Sequence, residues 1–513
     1  MNFTPIARLI MKRRGLRPEG WHGHTADVQL SQLRWLLFRG ASTEYGCRYG
    51  FEEILKESDI AEAFAERVPM VGYEDIRRLV MRMTDGEPDI LWPGRCLRFA
   101  QSSGTSGGRS KFIPVTKDSL KVNHFAGSAD TVAQYLRHYP ESRLFAGKGM
   151  ILGGSFESAL RPKGKDVRVG DLSATLIDSI PEVGNLFRVP DKETALLSDW
   201  NVKLDRMARK AIGEHITNIS GVPSWFLRVI RRALEISGRA HGHELWPDME
   251  VFFHGGIAFG PYREEYDALF DPARMHYFET YNASEGFFAT QAARDNDGLM
   301  LLIDNGVYFE FLPQGSGDNA RPLRADQLEE GVVYEMVITS CNGLWRYRIG
   351  DTVEVISTDP LKIRVAGRTH SYINAFGEEL MESNAEDAIA AASQQTGAKV
   401  RNYTAGPVYT HGDRKGRHQW LIEWEEPPAD SEAFCRILDE ELKRVNSDYA
   451  AKRSDDIFLD HPEITSLPDG SFDHWLATQG SGKLGGQRKI PRLHNARSII
   501  DDLLRNINVN KTI

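Results

Sequence analysis

The sequence predicts an α/β protein, with a large N-terminal α/β domain carrying additional β-structure and a small C-terminal α+β domain. Three observations carry this. From Met150 onward, short apolar runs of strand length alternate with helical segments. Strand-like runs at 276–281, 306–312, 332–339 and 351–357 then follow at closer spacing, with fewer helices between them. Beyond residue 368 the pattern changes again, to an alanine-rich helix, two strands and a further helix. With 513 residues, core size sets no limit.

The first hundred residues read as helical. Val28, Leu30, Leu33, Leu36 and Leu37 mark one apolar face, and Ile76, Leu79, Val80 and Met83 mark another after Tyr73-Glu74-Asp75. Thr116-Lys117-Asp118-Ser119 opens a further helix with hydroxyl and acidic residues at its start. Pro223 suits the first helical position of an amphipathic segment bearing Trp225, Phe226, Val229, Ile230, Ala233 and Leu234. Met249 to Phe253 reads as a strand ending in His254-Gly255-Gly256. The domain boundary is placed at Arg368-Thr369-His370, giving domains 1–368 and 369–513. In the second, Ser383-Asn384-Ala385-Glu386 has the form of a capping box, and strands at 399–405 and 418–424 flank the turn Gly412 to Gly416. A helix from about Ser431 to Val445 completes it, and no internal repeat is visible.

Composition narrows the function classes. Hydrophobic residues at 41% and charged residues at 26% describe an ordinary soluble globular chain. A net charge of −9 argues against a nucleic acid partner, which requires a basic surface. No apolar stretch approaches the roughly 18 residues of a membrane span, and no signal-peptide pattern opens the chain. A cytoplasmic enzyme or binding protein with no membrane partner is expected, and nothing demands more than a monomer. Cys47, Cys96, Cys341 and Cys435 lack Cys-x-x-Cys spacing and read as core thiols. The triplets His22/His24 and His241/His243 have no carboxylate or cysteine partner at a recognised spacing, so no structural metal site is expected.

The candidate chemistry begins at residues 102–111, Ser-Ser-Gly-Thr-Ser-Gly-Gly-Arg-Ser-Lys. Glycines let backbone N–H groups converge into a concave nest, hydroxyls add donors, and Arg109 and Lys111 supply charge for phosphate oxygens. The same composition is that of a flexible linker. Walker A spacing is missing. A nucleophile-elbow reading of Ser-Gly-Thr-Ser-Gly fails because no hydrophobic strand is read before it.

Three more clusters lie at expected strand ends, where open α/β sheets place ligands. In Tyr281-Asn282-Ala283-Ser284-Glu285-Gly286, the tyrosine can stack on a base, the serine can bond phosphate or carboxylate, and the glutamate suits magnesium. In Trp345-Arg346-Tyr347-Arg348-Ile349-Gly350-Asp351, the aspartate, read as following a glycine turn, can accept hydrogen bonds from a ribose diol or simply serve the turn. In Gly485-Gly486-Gln487-Arg488-Lys489, a lysine in a glycine-bounded loop can deliver positive charge to a reacting phosphate, or can be a solvated basic residue.

The order of these clusters resembles the acyl-adenylate-forming superfamily, and more closely the auxin-responsive Gretchen Hagen family of acyl acid-amido synthetases. The resemblance spans nearly the whole chain. It includes Thr43-Glu44-Tyr45-Gly46, Val68-Pro69, Ile90-Leu91-Trp92-Pro93-Gly94, Gly221-Val222-Pro223-Ser224-Trp225, Leu245-Trp246-Pro247 and Gly343-Leu344-Trp345-Arg346-Tyr347-Arg348. It implies an ATP- and magnesium-dependent ligase that adenylates a small carboxylic acid and passes the acyl group to an amino acid or other amine. The alternatives are a thiol acceptor such as coenzyme A, or nucleotide binding without catalysis.

The resemblance also implies residue roles. Ser102, Ser103, Gly104, Thr105 and Lys111 would cradle phosphates, while Gly255 and Gly256 would let backbone approach the nucleotide. Tyr281 would stack on adenine, Ser284 bond near the α-phosphate, Glu285 hold magnesium, and Asp351 bind ribose with Arg368 nearby at the hinge. Lys489 would stabilise charge on the α-phosphate, with Lys483 the competing candidate, and the small domain would be mobile, rotating between half-reactions. The acyl pocket is expected among the 223–235 helix, the 150–160 loop and 281–288, with Trp225, Phe226, Phe287 and Phe288 as an apolar wall that core packing would explain equally well. Two departures stand out. Arg488 replaces the tyrosine that plant members carry before the late lysine, and Gly377-Glu378-Glu379-Leu380 lacks the lysine many relatives place there.

Overall fold

The structure is a computed structural model that describes residues 2–102, 110–158, 160–316, 320–368, 372–409, 415–454, 459–478 and 492–510. Its contacts fall into two compact units, one drawn from Met1–Ser102 with Lys111–Thr369, the other including everything from His370 onward.

In the first unit, β1 (Arg98–Ser102) and β2 (Lys111–Pro114) form an antiparallel hairpin that pairs Ser102 with Lys111. A strand therefore does precede the glycine-rich loop, contrary to the sequence reading: buried Phe99 and Ala100 sit in it, although polar flanks disguise so short a run.

Among the described residues the main sheet has twelve strands. Its parallel part comprises β3 (Lys148–Ile151), β5 (Arg188–Val189), β6 (Ile216–Gly221), β7 (Val251–His254) and β8 (His276–Ala283), while β4 (Arg168–Gly170) joins the hairpin instead. The antiparallel part comprises β9 (Gly286–Gln291), β10 (Leu299–Leu301), β11 (Val307–Pro313), β12 (Leu323–Arg324), β13 (Val333–Ser340), β14 (Leu344–Thr358) and β15 (Leu361–Arg368). The order across it is β12-β11-β13-β14-β15-β10-β9-β8-β7-β6-β3-β5. The change from parallel to antiparallel follows the loss of intervening helices, since parallel pairing needs long crossovers and antiparallel pairing does not.

Helices form where the local signals are strong. The Pro223–Ser237 helix starts at its proline and stops at Gly238, whose φ of +66° is left-handed. Thr116 Oγ1 accepts the Ser119 N–H, and the helix opens there as expected, helical from Lys117, but it passes through a π-helical turn, Ser119–His124, before continuing as α-helix over Phe125–His138. The 345–351 cluster is not a turn before a strand. It lies inside β14, which bends at bulges and at Gly350, φ +88°.

The second unit holds a three-stranded sheet of β18 (Lys399–Val408), β19 (Arg417–Glu426) and β20 (Glu463–Leu467), preceded by the short pair β16 (Tyr372–Ile373) and β17 (Leu380–Met381). The helices Glu382–Thr396 and Ser431–Val445 pack together, and Asp430 caps the second by accepting the Glu432 and Ala433 N–H groups. The expected capping box is displaced: Asn384 accepts the Met381 N–H, and Ser383 lies within the helix. Among the cysteines, Cys96 and Cys341 are buried, but Cys47 is exposed and Cys435 half-buried, so only two are core thiols.

Candidate functional site

The site in the first unit starts from one hydrogen bond: the Tyr281 hydroxyl donates to Asp351 Oδ2 at 2.6 Å. Tyr281 is on β8 and Asp351 on β14, four strand spacings apart in the sheet, roughly 19 Å if it were flat. The sheet therefore curls. Both residues are almost fully buried, and the Tyr281 ring lies 5.2 Å from that of Phe288. Directly across from Asp351 in the β14–β15 ladder stands the backbone of Arg368.

The turn after β8 brings Glu285 into the same neighbourhood. Its side chain is buried, and its carbonyl oxygen accepts a hydrogen bond from Asn342 Nδ2 at 2.9 Å. Ser284, beside it, is half-buried. A link to the hairpin follows from Tyr73, whose hydroxyl accepts the Phe112 N–H at 2.7 Å, next to buried Lys111. Burial pushes the Tyr73 phenol up to about 12, and the negative charge of Glu285 adds to this rise. Glu285 therefore acts within electrostatic reach of the strand that closes the glycine-rich loop.

The two glycines after β7 are needed for different reasons. At Gly255 a Cβ would lie 2.5 Å from the Thr280 carbonyl oxygen, so the neighbouring strand forbids a side chain. Gly256 has φ +82°, a conformation L-residues rarely adopt, while a Cβ there would meet only Val222 Cγ2 at 3.7 Å, an ordinary contact. His254, just before them, stacks 4.3 Å from Phe259, and burial pushes its imidazole down to about 3.

The four proposed pocket aromatics divide. Phe226 and Phe288 are fully buried among core rings, Phe252 and Phe309 respectively, so packing accounts for both. Phe287 rests where Gly127 would carry a Cβ, which ties β9 closely to the Phe125–His138 helix. Trp225 is half-buried and meets Trp200 edge-on at 4.8 Å.

Sequence reasoning missed several residues. Asn123 clamps β9, accepting the Phe287 N–H at 2.7 Å and donating to the Phe287 and Asn305 carbonyls, both at 3.0 Å. His124 is buried beside it with no hydrogen-bond partner for either ring nitrogen, and burial pushes it down to about 4. No motif could have signalled either, because the π-helical turn decides which way they face. Arg346, quoted as part of the recognised cluster, is a brace: its guanidinium pairs with Glu310 at 2.9 Å and donates to the carbonyls of Ala65 and Val68.

Ser103, Gly104, Thr105, Lys483 and Lys489 lie outside the described residues, as does the side chain of Arg368. In the second unit the chain after Pro491 is tied to β18, where the Ala405 N–H donates to the Arg492 carbonyl and Arg492 lies 4.6 Å above the Tyr403 ring. Among the described residues no His, Cys, Asp and Glu side chains cluster as a metal site, and no helix is long and apolar enough to cross a membrane.

Residues 22–192 match the GH3 family N-terminal domain, 300–368 the GH3 family central domain and 383–498 the GH3 family C-terminal domain. Indole-3-acetic acid-amido synthetase GH3.4 of Arabidopsis thaliana is 23% identical, over 91% of this chain and 89% of its own. The 4-substituted benzoates-glutamate ligase GH3.12 of the same plant is 22% identical, over 91% and 92%. Among solved structures, AtGH3.15 acyl acid amido synthetase in complex with 2,4-DB aligns with a TM-score of 0.60 at 21% identity, covering 97% of this chain and 96% of that one, a likeness of fold.

Proposed function

The chain belongs to the GH3 family, and on that premise we propose that it is an ATP-dependent acyl acid-amido synthetase. It activates a small carboxylic acid as an acyl-adenylate with release of pyrophosphate. It then passes the acyl group to an amino acid amine, releasing AMP. The relatives' printed substrates, indole-3-acetic acid and 4-substituted benzoates with glutamate, point to an aromatic acid and an amino acid.

The observation that carries this reading is convergence. Lys111, the pair Tyr281 and Glu285, and Asp351 come from three motifs far apart in sequence. The Tyr281 hydroxyl donates to Asp351, and the Tyr73 phenol, which accepts the N–H of Phe112 next to Lys111, feels the negative charge of Glu285.

A carboxylate is a poor electrophile, and an amine beside it only forms a salt. Attack of the carboxylate oxygen on the α-phosphorus breaks the bond to pyrophosphate and gives a mixed anhydride whose leaving group is AMP. The amine nitrogen then attacks the carbonyl carbon, the bond to the AMP oxygen breaks, and the amine loses a proton. The protein's part is positioning and charge stabilisation.

In this assignment Ser102, Ser103, Gly104, Thr105 and Lys111 hold the phosphates that leave. The Tyr281 ring flanks the adenine and Asp351 accepts from the ribose hydroxyls. Gly255 and Gly256 shape the backbone beside them, and Ser284 bonds near the α-phosphate. Glu285 is a buried oxygen donor of the kind magnesium prefers and would hold that ion, which neutralises phosphate charge when bound. Lys489, with Lys483 as competitor, supplies charge at the α-phosphate from domain 369–513, and Arg368 lies at the junction with 1–368. Trp225 and Phe287 border the acyl group. We place the protein in the cytoplasm, and nothing in this reaction demands more than a monomer.

The direct test offers purified protein ATP, magnesium, a panel of aromatic acids, and either amino acids or coenzyme A, with products identified by mass spectrometry. An amide with one AMP per product is expected. A thioester and no amide would overturn the choice of acceptor.

A further inference from the structure

We propose that the outward face of the Thr4–Leu16 helix, with Leu186 and Phe187 beside it, docks on an anionic lipid surface. An ordinary surface helix turns its apolar stripe inward. This one does the reverse. Its inner face holds Thr4, Ala7, Arg8, Met11, Arg14 and Gly15; Ala7 and Met11 pack beside Tyr135 and Leu136, and Arg8 donates to the carbonyls of Leu136 and Tyr139. Outward stand Ile6, Leu9 and Ile10, exposed by 59%, 75% and 73%, with Phe3 and Leu16 extending the row. The Phe3 ring meets that of Phe187 at 5.9 Å, and exposed Leu186 adjoins it. Of ten exposed large hydrophobic residues among the described residues, these account for seven, so the feature is a patch and not scattered surface.

Charge identifies the occupant. The helix contains no acidic residue, and Lys12 and Arg13 are exposed on it, in a chain whose net charge is −9. Arg14 is turned away, paired with Asp130 at 2.7 Å. Nearby acids are engaged: Glu19 with Arg137, and Glu182 as acceptor for Asn185. An apolar face flanked by lysine and arginine suits the headgroup boundary, where methyl groups sink among acyl chains and cations remain at the phosphates. A second copy meeting the same face by two-fold symmetry would bring Lys12 and Arg13 of both copies into one interface with no acidic residue on either helix to pair them, which like charge disfavours. The sequence reading expected no membrane partner because no span exists, but peripheral docking needs none. The inference is independent of the proposed reaction.

Co-sedimentation of the full chain with sucrose-loaded vesicles tests it. The chain is expected to pellet with phosphatidylcholine vesicles containing phosphatidylglycerol, less with phosphatidylcholine alone, and less as salt rises. Leu9→Glu with Ile10→Glu should lower partitioning by about tenfold or more without shifting the thermal transition, because both side chains face solvent. Lys12→Glu with Arg13→Glu should lower it only for anionic vesicles. The proposal is overturned if the parent chain stays in the supernatant, or if Leu9→Glu with Ile10→Glu pellets equally well. It is likewise overturned if light scattering shows a dimer that this variant abolishes, which would assign the face to a second copy.

Discussion

Asp351 receives its hydrogen bond from the phenol of Tyr281, 70 residues earlier in the chain, at 2.6 Å. The proposed adenine platform and the proposed ribose carboxylate are therefore one mechanical unit. A change in either displaces the other, and the two should act together on nucleotide affinity.

Asp351→Ala should raise the KM for ATP about tenfold or more while kcat changes less, the mark of a lost binding contact. Tyr281→Phe keeps the ring and loses the hydroxyl, so a several-fold rise is expected, a part of the roughly 0.5–3 kcal/mol that a hydrogen bond is worth, because the bond holds Asp351 and not the nucleotide itself. Steady-state kinetics with varied ATP checks both, and an unaltered KM in Asp351→Ala would rule out ribose binding.

The late lysine is a different kind of residue. Lys489→Ala should cut adenylation by about a hundredfold or more while ATP affinity holds, because its charge serves the transition state. Single-turnover measurements on Lys489→Ala and Lys483→Ala side by side decide between them. A larger loss in Lys483→Ala reverses the assignment.

Arg346 concerns stability. Arg346→Met leaves Glu310 buried and unpaired, at a cost of about 3–5 kcal/mol. Burial already raises the Glu310 carboxyl and the arginine opposes that rise, so in the variant Glu310 should hold its proton to higher pH than in the unfolded chain. The folded variant then binds more protons than the unfolded one, and its deficit should shrink as pH falls. Urea unfolding at several pH values measures this; a deficit independent of pH would contradict it.

Asp439 sets an acid limit in the second unit. Burial pushes its carboxyl up, but hydrogen bonds from Arg453, Lys443 and Tyr449 outweigh burial and hold it at about 2. The folded value is below the unfolded one, so this stability is present above about pH 4 and is lost between there and about pH 2. The amount is about 2 kcal/mol. Asp439→Asn should flatten acid unfolding over that window, as followed by circular dichroism.

What the sequence revealed depended on how local each cause was. The Ser431–Val445 helix and the proline start of the helix at 223 were legible because cap and period lie within a few residues. The positions of Tyr281, Glu285 and Asp351 could be named from motif order, but not the bond between them, which depends on the curl of a twelve-stranded sheet. The sequence places the start of β14 near 351 although it begins at Leu344, because the stretch at Trp345 and Arg346, where Arg346 has φ +44°, is held by distant partners, Leu91 and Glu310. Asn123 and the reversed face of the Thr4–Leu16 helix carried no pattern of their own. Each becomes meaningful only through what packs, or does not pack, against it.

The most direct measurement of the central claim is acid-dependent exchange of labelled pyrophosphate into ATP. With a suitable aromatic acid and magnesium, and no amine, robust exchange is predicted, together with its loss in Lys489→Ala. Absence of exchange across an acid panel, from protein that still binds ATP, would contradict adenylation and leave a nucleotide-binding protein without catalysis.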